Sequence, residues 1–486
     1  MLKDFDRDQQ LHLGIKYVMD NLNVQNIYGG EKKRNIEWMS TGKKNSLLRQ
    51  LDELRRWVSF QRSQPKRIET LKNILLHFKE IRGILRKLES ANEFLSETEL
   101  FELKNFAIDM EHLRAEFTLC SFDFGDIIPI STADTIKILN PEVQITRSFA
   151  ICNAYSANLA VIRQEKNIIE KKIAGKLENL QPLMRKRNVI IEKERAEENI
   201  IKKELSGKLR VNLELFYLNI RFIAELDFLI AKASLALKFN CVAPEFRDNE
   251  TIEIKENINP YVVSILEKEG KKFTPISLCL KSGANVLTGA NMGGKTVALS
   301  TITLNIVLAH CGFFVFAKSL ILPVLDYIYF IGHAGQSVQE GLSSFGSEVK
   351  EVTRLISAMQ NKRGFCALDE FARSTNPDEG RLMGRALLSY AEKYQAFCLL
   401  STHLNGVVMK GMSHFQVVGL KKANLEALSE AKNGESVQVL QELMDFNIES
   451  VEWDNLPPQD AIRVAELMGL QTEFLDLVRN YYKEQQ

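Results

Sequence analysis

Residues 289–296 carry the residue types and the spacing that bind phosphate. They read Gly-Ala-Asn-Met-Gly-Gly-Lys-Thr, which fits G-x-x-x-x-G-K-[ST] without a gap. In such a loop the glycines turn backbone N–H groups toward phosphate oxygens, the lysine reaches the β and γ phosphates, and the threonine hydroxyl ligates Mg²⁺. The stretch therefore predicts a site for a nucleoside triphosphate and Mg²⁺. The residues expected to form it are Gly289, Gly293, Gly294, Lys295 and Thr296.

Two adjacent carboxylates supply the second part of this chemistry. Residues 364–368 form an apolar run of strand length that ends in Asp369 and Glu370. Asp369 is placed to hold the Mg²⁺ ion, and Glu370 is placed to orient or deprotonate an attacking water. A further apolar run, 396–400, leads to His403, which we expect beside the same sheet edge as a γ-phosphate sensor. These patterns predict a hydrolase rather than a nucleotide-binding module alone.

The elements around these motifs define the fold of the C-terminal half. Residues 286–288 read as a short buried strand, and residues 296–309 read as an apolar helix. This strand, loop and helix are the context that the phosphate-binding spacing requires. With the other two apolar runs as strands of the same sheet, the pattern predicts an α/β P-loop fold.

The N-terminal half has a helical pattern. Apolar residues recur at alternating spacings of four and three, which lays a stripe along one face of each helix. Residues 154–208 are rich in Lys, Arg and Glu and suit two long exposed lever helices, with a turn near residues 180–187. Glycine and proline at 28–30, 63–65 and 126–129 are expected to separate helices. The two stripes are Leu47, Leu51, Leu54 and Val58, and Ile74, Phe78, Ile81, Leu85 and Leu88.

Composition limits the classes of function. With 486 residues and 45% hydrophobic residues, the chain is long enough for two or three domains. The net charge of +1 gives no general basic field, so any DNA contact must come from a local patch such as residues 184–187 at the lever tip. Seven scattered cysteines without C-x-x-C pairs, and a charged N-terminus, indicate a reduced cytoplasmic protein. No membrane span is expected.

The C-terminal half resembles the ATPase of the MutS family through an ordered series of motifs. The resemblance covers roughly residues 211–486, and the combination is far more specific than any one motif. It implies ATP as the nucleotide, an aromatic ring at Phe273 that stacks on adenine, and a loop whose Ser343 is inserted against the γ-phosphate by a partner subunit. The motifs are residues 224–229, 273–275, 289–296, 335–345, 369–380 and 460–469.

The resemblance also implies a reaction and an assembly. Water attacks the γ-phosphate in line, Lys295 and Mg²⁺ neutralise the charge, and Glu370 handles the water. Asn291 and His403 contact the terminal phosphate. The protein is then a Mg²⁺-dependent ATPase that forms ADP and phosphate, working as a homodimer in which ATP closes the two subunits.

Within the family the motifs lean toward the second MutS branch. Members of that branch usually end in a small Smr nuclease domain, and this sequence stops after the expected dimerisation helices, so no nuclease function is expected. Nor does the sequence show the mixed domain with a Phe-x-Glu wedge by which mismatch-repair members read DNA. Phe78-Lys79-Glu80 fits that pattern, but Phe78 lies on the apolar stripe, which favours core packing.

The expected organisation is an α/β, ABC-like P-loop domain preceded by an all-α core and lever domain. The divisions are a helical core domain (1–125), lever helices with a reduced or absent clamp (126–210), a core helix that connects to the ATPase (211–243), the P-loop ATPase domain (244–430) and a helical dimerisation region (431–486).

Two classes of function remain open from the sequence. The leading one is an ATP-gated clamp on branched or distorted DNA. The alternative is a protein-remodelling ATPase, since MutS-like proteins of this build resemble those that reactivate cobalamin-dependent amino-acid aminomutases. Action on stalled ribosomes is a weaker third. The sequence leaves open the native target, alternation of the two ATP sites and the need for an additional subunit.

Overall fold

The computed structural model describes residues 5–120, 128–142, 144–175, 180–289, 294–332, 344–373, 375–420, 444–456, 462, 465 and 470–484. Its helices are α1 Arg7–His12, α2 Ile15–Asp20, α3 Ile27–Arg34, α4 Lys44–Ser63, α5 Pro65–Leu75, α6 Arg82–Glu89, α7 Glu97–Leu119, α8 Ala133–Leu139, α9 Ala157–Ala174, α10 Leu180–Arg210, α11 Leu213–Lys238, α12 Pro260–Lys268, α13 Lys295–His310, α14 Ser344–Met359, α15 Pro377–Tyr394 and α16 Thr472–Glu484. Its strands are β1 Glu245–Phe246, β2 Thr251–Asn257, β3 Ile276–Lys281, β4 Gly283–Thr288, β5 Ser319–Leu322, β6 Tyr327–Ile331, β7 Gly364–Asp369, β8 Phe397–Thr402, β9 Ser413–Leu420 and β10 Met444–Val451.

The chain divides into two compact units. The sheet unit comprises residues 1–22, 36–55 and 234–486, and the helical unit comprises residues 23–35 and 56–233. The sheet unit therefore includes two N-terminal segments that the sequence placed in a helical core domain. The finer boundaries at residues 125, 210, 243 and 430 stay predictions.

The larger sheet of the sheet unit has the strand order β10-β9-β4-β8-β7-β6 within the described residues. Neighbours from β9 to β6 are parallel, and β10 is antiparallel to β9. β4 and β8 are buried throughout, and β7 is buried up to its last residue. Parallel strands covered on both faces read as continuous apolar runs, which is why the runs at 286–288, 364–368 and 396–400 were recognisable. The predicted mixed α/β fold is confirmed.

Helices cover this sheet. The core cluster on one face joins Leu355 of α14 and Leu388 of α15 to Cys366 and Cys398 of the strands. α13 is buried along nearly its whole length, from Ala298 onward. A second, mostly antiparallel sheet has the order β1-β5-β2-β3. No helix within the described residues is long and apolar enough to cross a membrane.

The N-terminal segment 36–55 packs against the end of α13. The Trp38 ring stacks on His310, with centroids 4.1 Å apart and planes 4° apart. His310 Nδ1 lies 3.0 Å from the Ile306 carbonyl oxygen, and His310 Nε2 accepts a hydrogen bond from the Leu325 N–H. Complete burial lowers the pKa of His310 to about 3. The imidazole is therefore neutral, with its proton on Nδ1.

The structure confirms one of the two predicted apolar stripes and corrects the other. The stripe from Leu47 to Val58 lies on α4. The stripe from Ile74 to Leu88 was wrong as a single helix, because α5 ends at Leu75 and α6 starts at Arg82. The Tyr28 hydroxyl donates to the Lys79 carbonyl and accepts from the Ile81 N–H, which replaces helical backbone partners. All five stripe residues are still buried, and Phe78 packs on Phe106, as expected of a core residue.

The expected break at residues 28–30 was also wrong, since this segment lies inside α3. Gly29 serves close packing instead, because a Cβ there would lie 2.1 Å from Asp227 Oδ2. The buried Asp227 carboxylate accepts hydrogen bonds from the Gln25 and Asn26 N–H groups. Burial raises the pKa of Asp227 to about 6.

The two long helices expected from the charge pattern are α9 and α10, and their role as levers stays a prediction. The turn was placed too late, because residues 180–187 belong to α10. Pro182 is tolerated there, since the first turn of a helix needs no N–H donor from proline. Ion pairs join the two helices: Arg163 lies 2.9 Å from both Glu194 and Glu198, and Lys166 pairs with Glu194. No strand interrupts the described part of residues 173–189.

Candidate nucleotide-binding site

The carboxyl ends of β4, β8 and β7 meet at one edge of the larger sheet. β8 lies between the other two strands, and all three are parallel. Their register sets Thr288 opposite Thr402 and Asp369 opposite Ser401. The phosphate-binding residues follow β4, Asp369 ends β7 with Glu370 directly after it, and His403 follows β8. The sheet thus brings the three motifs found in the sequence to one place.

Thr296 and Asp369, the two expected magnesium ligands, are in direct contact. Thr296 Oγ1 donates to Asp369 Oδ2 at 2.7 Å. The other carboxylate oxygen accepts from Ser401 Oγ at 2.5 Å. Ser401 stands opposite Asp369 in the register, so the neighbouring strand fixes the direction of the carboxylate.

This pair fits a magnesium ion bound together with a nucleotide. A hydroxyl and a carboxylate are the hard oxygen ligands that Mg²⁺ prefers, and Mg²⁺ takes its remaining ligands from water and phosphate. Over the described part of the chain, no group of three or more His, Cys, Asp or Glu could hold a metal by itself.

Lys295 is the buried cation of the site. Its side chain is 5% exposed, its Nζ donates to the Gly289 carbonyl oxygen at 2.8 Å, and it lies 3.8 Å from Glu370 Oε1. Burial lowers the pKa of Lys295, while the charges of Glu370 and Asp369 act in the opposite direction. An ammonium held at the start of the phosphate loop is placed to meet the negative charge of a bound phosphate.

Glu370 is held by basic side chains on both of its oxygens. Arg373 Nη1 lies 2.8 Å from Oε2, and His403 Nδ1 lies 3.3 Å from Oε1, the oxygen that also faces Lys295. The side chain is only 12% exposed. The predicted base and the predicted phosphate sensor are therefore neighbours, and both lie next to the phosphate-binding lysine.

Two glycines flank the phosphate loop for steric reasons. Gly294 has a left-handed φ of 82°, and a Cβ there would lie 3.2 Å from the Phe446 ring. Gly289 has a φ of 157°, and a Cβ there would lie 3.1 Å from Val417. Larger residues at either end would crowd β9 or β10 where the backbone must turn.

The structure does not describe all of the predicted site residues. Asn291, Gly293 and Ser343 lie outside the described residues. Phe273 is half-buried in the segment between α12 and β3. Its stacking on adenine stays a prediction.

Sequence reasoning gave no role to Ser401, Arg373 or Glu348, which contact the site residues or the turn that carries them. Ser401 follows from the parallel register, because it ends the strand next to Asp369. Arg373 is three residues after Glu370, a spacing at which a turn brings side chains together. Glu348 comes from α14, and its contact with the Ala372 N–H carries no local sequence signal.

Together these features define a P-loop nucleotide-binding domain. They are a glycine-flanked loop before a buried helix, a buried lysine, and a threonine–aspartate pair at the edge of a parallel sheet.

Comparison with known proteins agrees with this class. Residues 285–481 match the family model described as MutS domain V, which is a P-loop ATPase-type domain. The chain is 30% identical over 211 residues to the Endonuclease MutS2 of Ruminiclostridium cellulolyticum, covering 43% of this chain and 25% of that protein. It is 32% identical over 222 residues to the Endonuclease MutS2 of Exiguobacterium sibiricum, covering 44% and 26%.

A third relative is the DNA mismatch repair protein MutS of Fusobacterium nucleatum, 33% identical over 168 residues, with 35% of this chain and 19% of that protein covered. Over residues 285–481 the chain is therefore similar to the MutS family, and two of the relatives named here belong to its MutS2 branch. The alignments span about a quarter or less of the length of these relatives.

Proposed function

We propose that the protein is a Mg²⁺-dependent ATPase that works as a homodimeric, ATP-gated clamp on branched or distorted DNA. One observation carries the ATPase assignment: Lys295, the Thr296–Asp369 pair and Glu370 converge at a single sheet edge. A phosphate-binding cation, metal ligands and a carboxylate for the water are the groups that hydrolysis of a terminal phosphate requires.

The residues divide the work of the reaction. Lys295 binds the β and γ phosphates as charge develops on them. Thr296 and Asp369 hold Mg²⁺, which neutralises phosphate charge when it is bound. Glu370 orients the water and accepts its proton, and His403, with Asn291, contacts the terminal phosphate. β4 precedes the phosphate-binding loop and β7 precedes the carboxylates, and one strand, β8, lies between them. This strand order supports an ABC-like arrangement.

The exposed face of α16 supports the homodimer. Phe474, Leu477 and Tyr481 follow spacings of three and four and are each more than half exposed, while Leu475 is buried on the other side. Such an apolar stripe on an outer helix fits a self-complementary contact with a second copy. In that dimer, Ser343 of the partner subunit completes each ATP site.

Subunit mixing tests the shared site. Ser343→Ala and Glu370→Ala should each lose hydrolysis as pure dimers. A mixed dimer has one intact site, because the first variant supplies Glu370 and the second supplies the serine. Random pairing should then restore roughly a quarter of wild-type turnover. A mixture as inactive as its two components would exclude completion of the site by the partner.

The DNA target is supported by the family and by a basic lever tip. Arg185 and Lys186 on α10 are exposed, and Arg187 pairs with Glu170 of α9. Counterion release makes phosphate contacts salt-sensitive, so binding through this tip should weaken steeply with salt. The double variant Arg185→Gln/Lys186→Gln should reduce the salt dependence of DNA binding. The control Arg195→Gln, further along α10, should leave it unchanged.

Steady-state ATP hydrolysis tests the target. It is measured at low and moderate salt without DNA, with a plain duplex and with a four-way junction, with Glu370→Ala as the blank. Salt-sensitive stimulation by the junction above that by the duplex is expected. Robust basal hydrolysis that neither DNA changes would reject the DNA clamp and would direct attention to a protein partner, as for a remodelling ATPase.

A further inference from the structure

The turn after β7 carries Glu370 in an unfavourable backbone conformation. Glu370 and Ala372 have φ angles of 50° and 61°, in the left-handed region that non-glycine residues seldom adopt. Such conformations persist only where surrounding contacts hold them. The position of the Glu370 carboxylate therefore depends on whatever fixes this turn.

Contacts from three directions hold the turn. The Glu370 N–H donates to the Ser401 carbonyl oxygen at 3.1 Å, which fixes the start of the turn to β8. Arg373 returns to Glu370 through its guanidinium and through a backbone hydrogen bond of 3.2 Å. The third contact comes from α14, where Glu348 Oε2 accepts the Ala372 N–H at 3.0 Å.

The contact from α14 reaches the middle of the turn. Ala372 is 1% exposed, so no bulk water replaces Glu348 as acceptor for its N–H. Phe371 and Ala372 also belong to the apolar cluster that contains Val352 and Leu355 of α14. Loss of the Glu348 acceptor would leave a buried donor unpaired at the strained residue two positions after Glu370.

We propose that Glu348 is a positioning residue for hydrolysis: by accepting the Ala372 N–H it holds the turn in the conformation that aims Glu370 at the attacking water. This role rests on the proposed use of Glu370 as the base. The Glu348 carboxylate acts on the turn that carries Glu370, so we expect its loss to lower turnover and not nucleotide affinity.

Three variants of α14 test the role. Glu348→Ala removes the acceptor, and Glu348→Gln keeps a carbonyl oxygen at the same distance from the backbone. Thr353→Ala is the control, because the Thr353 hydroxyl donates to the Val349 carbonyl of its own helix. We expect Glu348→Ala to lower kcat by roughly 10-fold or more with the affinity for a fluorescent ATP analogue unchanged within about twofold. Glu348→Gln should retain most of the wild-type kcat.

Amide hydrogen exchange gives a readout that does not depend on activity. The Ala372 amide should lose protection in Glu348→Ala and keep it in Glu348→Gln and Thr353→Ala. Any of three results would overturn the proposal. The first is a kcat for Glu348→Ala within twofold of wild type, the second is an equal fall in kcat for Glu348→Gln, and the third is a loss of ATP affinity that accounts for the lower turnover. Glu370→Ala is assayed alongside: if it keeps turnover, the assignment of the base fails, whereas an inactive Glu370→Ala with an active Glu348→Ala rejects only the role of Glu348.

Discussion

Both units of the molecule bury lysines, and Lys104 of the helical unit and Lys295 of the sheet unit have different surroundings. In the helical unit, Lys104 Nζ donates to Asn140 Oδ1 and to the Ser148 carbonyl oxygen, both at 2.8 Å. In the sheet unit, Lys295 lies beside the carboxylates of Glu370 and Asp369. Burial lowers the pKa of both lysines. Burial alone therefore does not identify a functional lysine; its partners and its place at a sheet edge do.

Removing each lysine gives the largest expected effect. Lys295→Ala should raise the dissociation constant for ATP by roughly 10- to 100-fold, because a charge-assisted phosphate contact contributes about 1.5–3 kcal/mol. Lys104→Ala should leave that constant unchanged within about twofold and lower the free energy of unfolding by about 1–3 kcal/mol, because two hydrogen bonds from a charged donor are lost. Equilibrium titration with a fluorescent ATP analogue and urea denaturation measure the two quantities.

Equal losses of ATP affinity in the two variants would remove the contrast between the lysines. A stable Lys295→Ala that binds ATP like the wild type would remove Lys295 from the site.

Each unit also buries a titratable group, and these two groups make the free energy of unfolding depend on pH in opposite directions. His310 of the sheet unit has a folded-state pKa of about 3, below its ordinary 6.5. Its contribution to stability is present above pH 6.5 and is lost as pH falls, at about 1.4 kcal/mol per pH unit, because the unfolded chain binds the proton first. Between pH 6.5 and 5 the loss should be about 2 kcal/mol.

Urea denaturation of wild type and His310→Gln at pH 7.5 and pH 5 measures this loss. The variant should lack the extra acid destabilisation, whatever its absolute stability. Parallel pH dependences in the two proteins would show that His310 is not held neutral.

Asp227 of the helical unit gives a smaller effect of the opposite sign. Its folded-state pKa is raised from 3.8 to about 6. The stability gained on protonation is fully present below pH 3.8 and is lost as pH rises through about 6, a total change of about 3 kcal/mol. Relative to Asp227→Asn, the wild type should therefore become less stable between pH 4.5 and 7.5. A wild type that gains stability relative to the variant over this range would reverse the assigned sign.

The sheet unit was largely readable from the sequence because its signals are local. The phosphate-binding spacing, the apolar run before Asp369 and the run before His403 each lie within about ten residues. Parallel pairing then brings the ends of these runs together without further information. The sites at Lys295, Thr296, Asp369 and Glu370 follow from that rule.

The errors lie where distant residues override local pattern. The helix expected across Ile74 to Leu88 is broken by the hydroxyl of Tyr28, about fifty residues earlier in the chain. The segment 28–30, which contains two glycines, predicted a break between helices, yet Gly29 makes room for Asp227 inside a helix. Trp38 stacks on His310 of α13 across an even longer separation. Periodicity and turn residues carry no information about such contacts. They also give no sign of the hydrogen bond between the Ala372 amide and Glu348.

Steady-state ATP hydrolysis by Glu370→Ala, with nucleotide affinity measured on the same sample, tests the central claim most directly. Loss of a general base costs roughly two to four orders of magnitude in turnover. The account predicts that fall in kcat, with ATP still bound at near wild-type affinity because Lys295 and the phosphate loop are intact. Turnover that survives the substitution would contradict the assignment of Glu370 and the mechanism built on it.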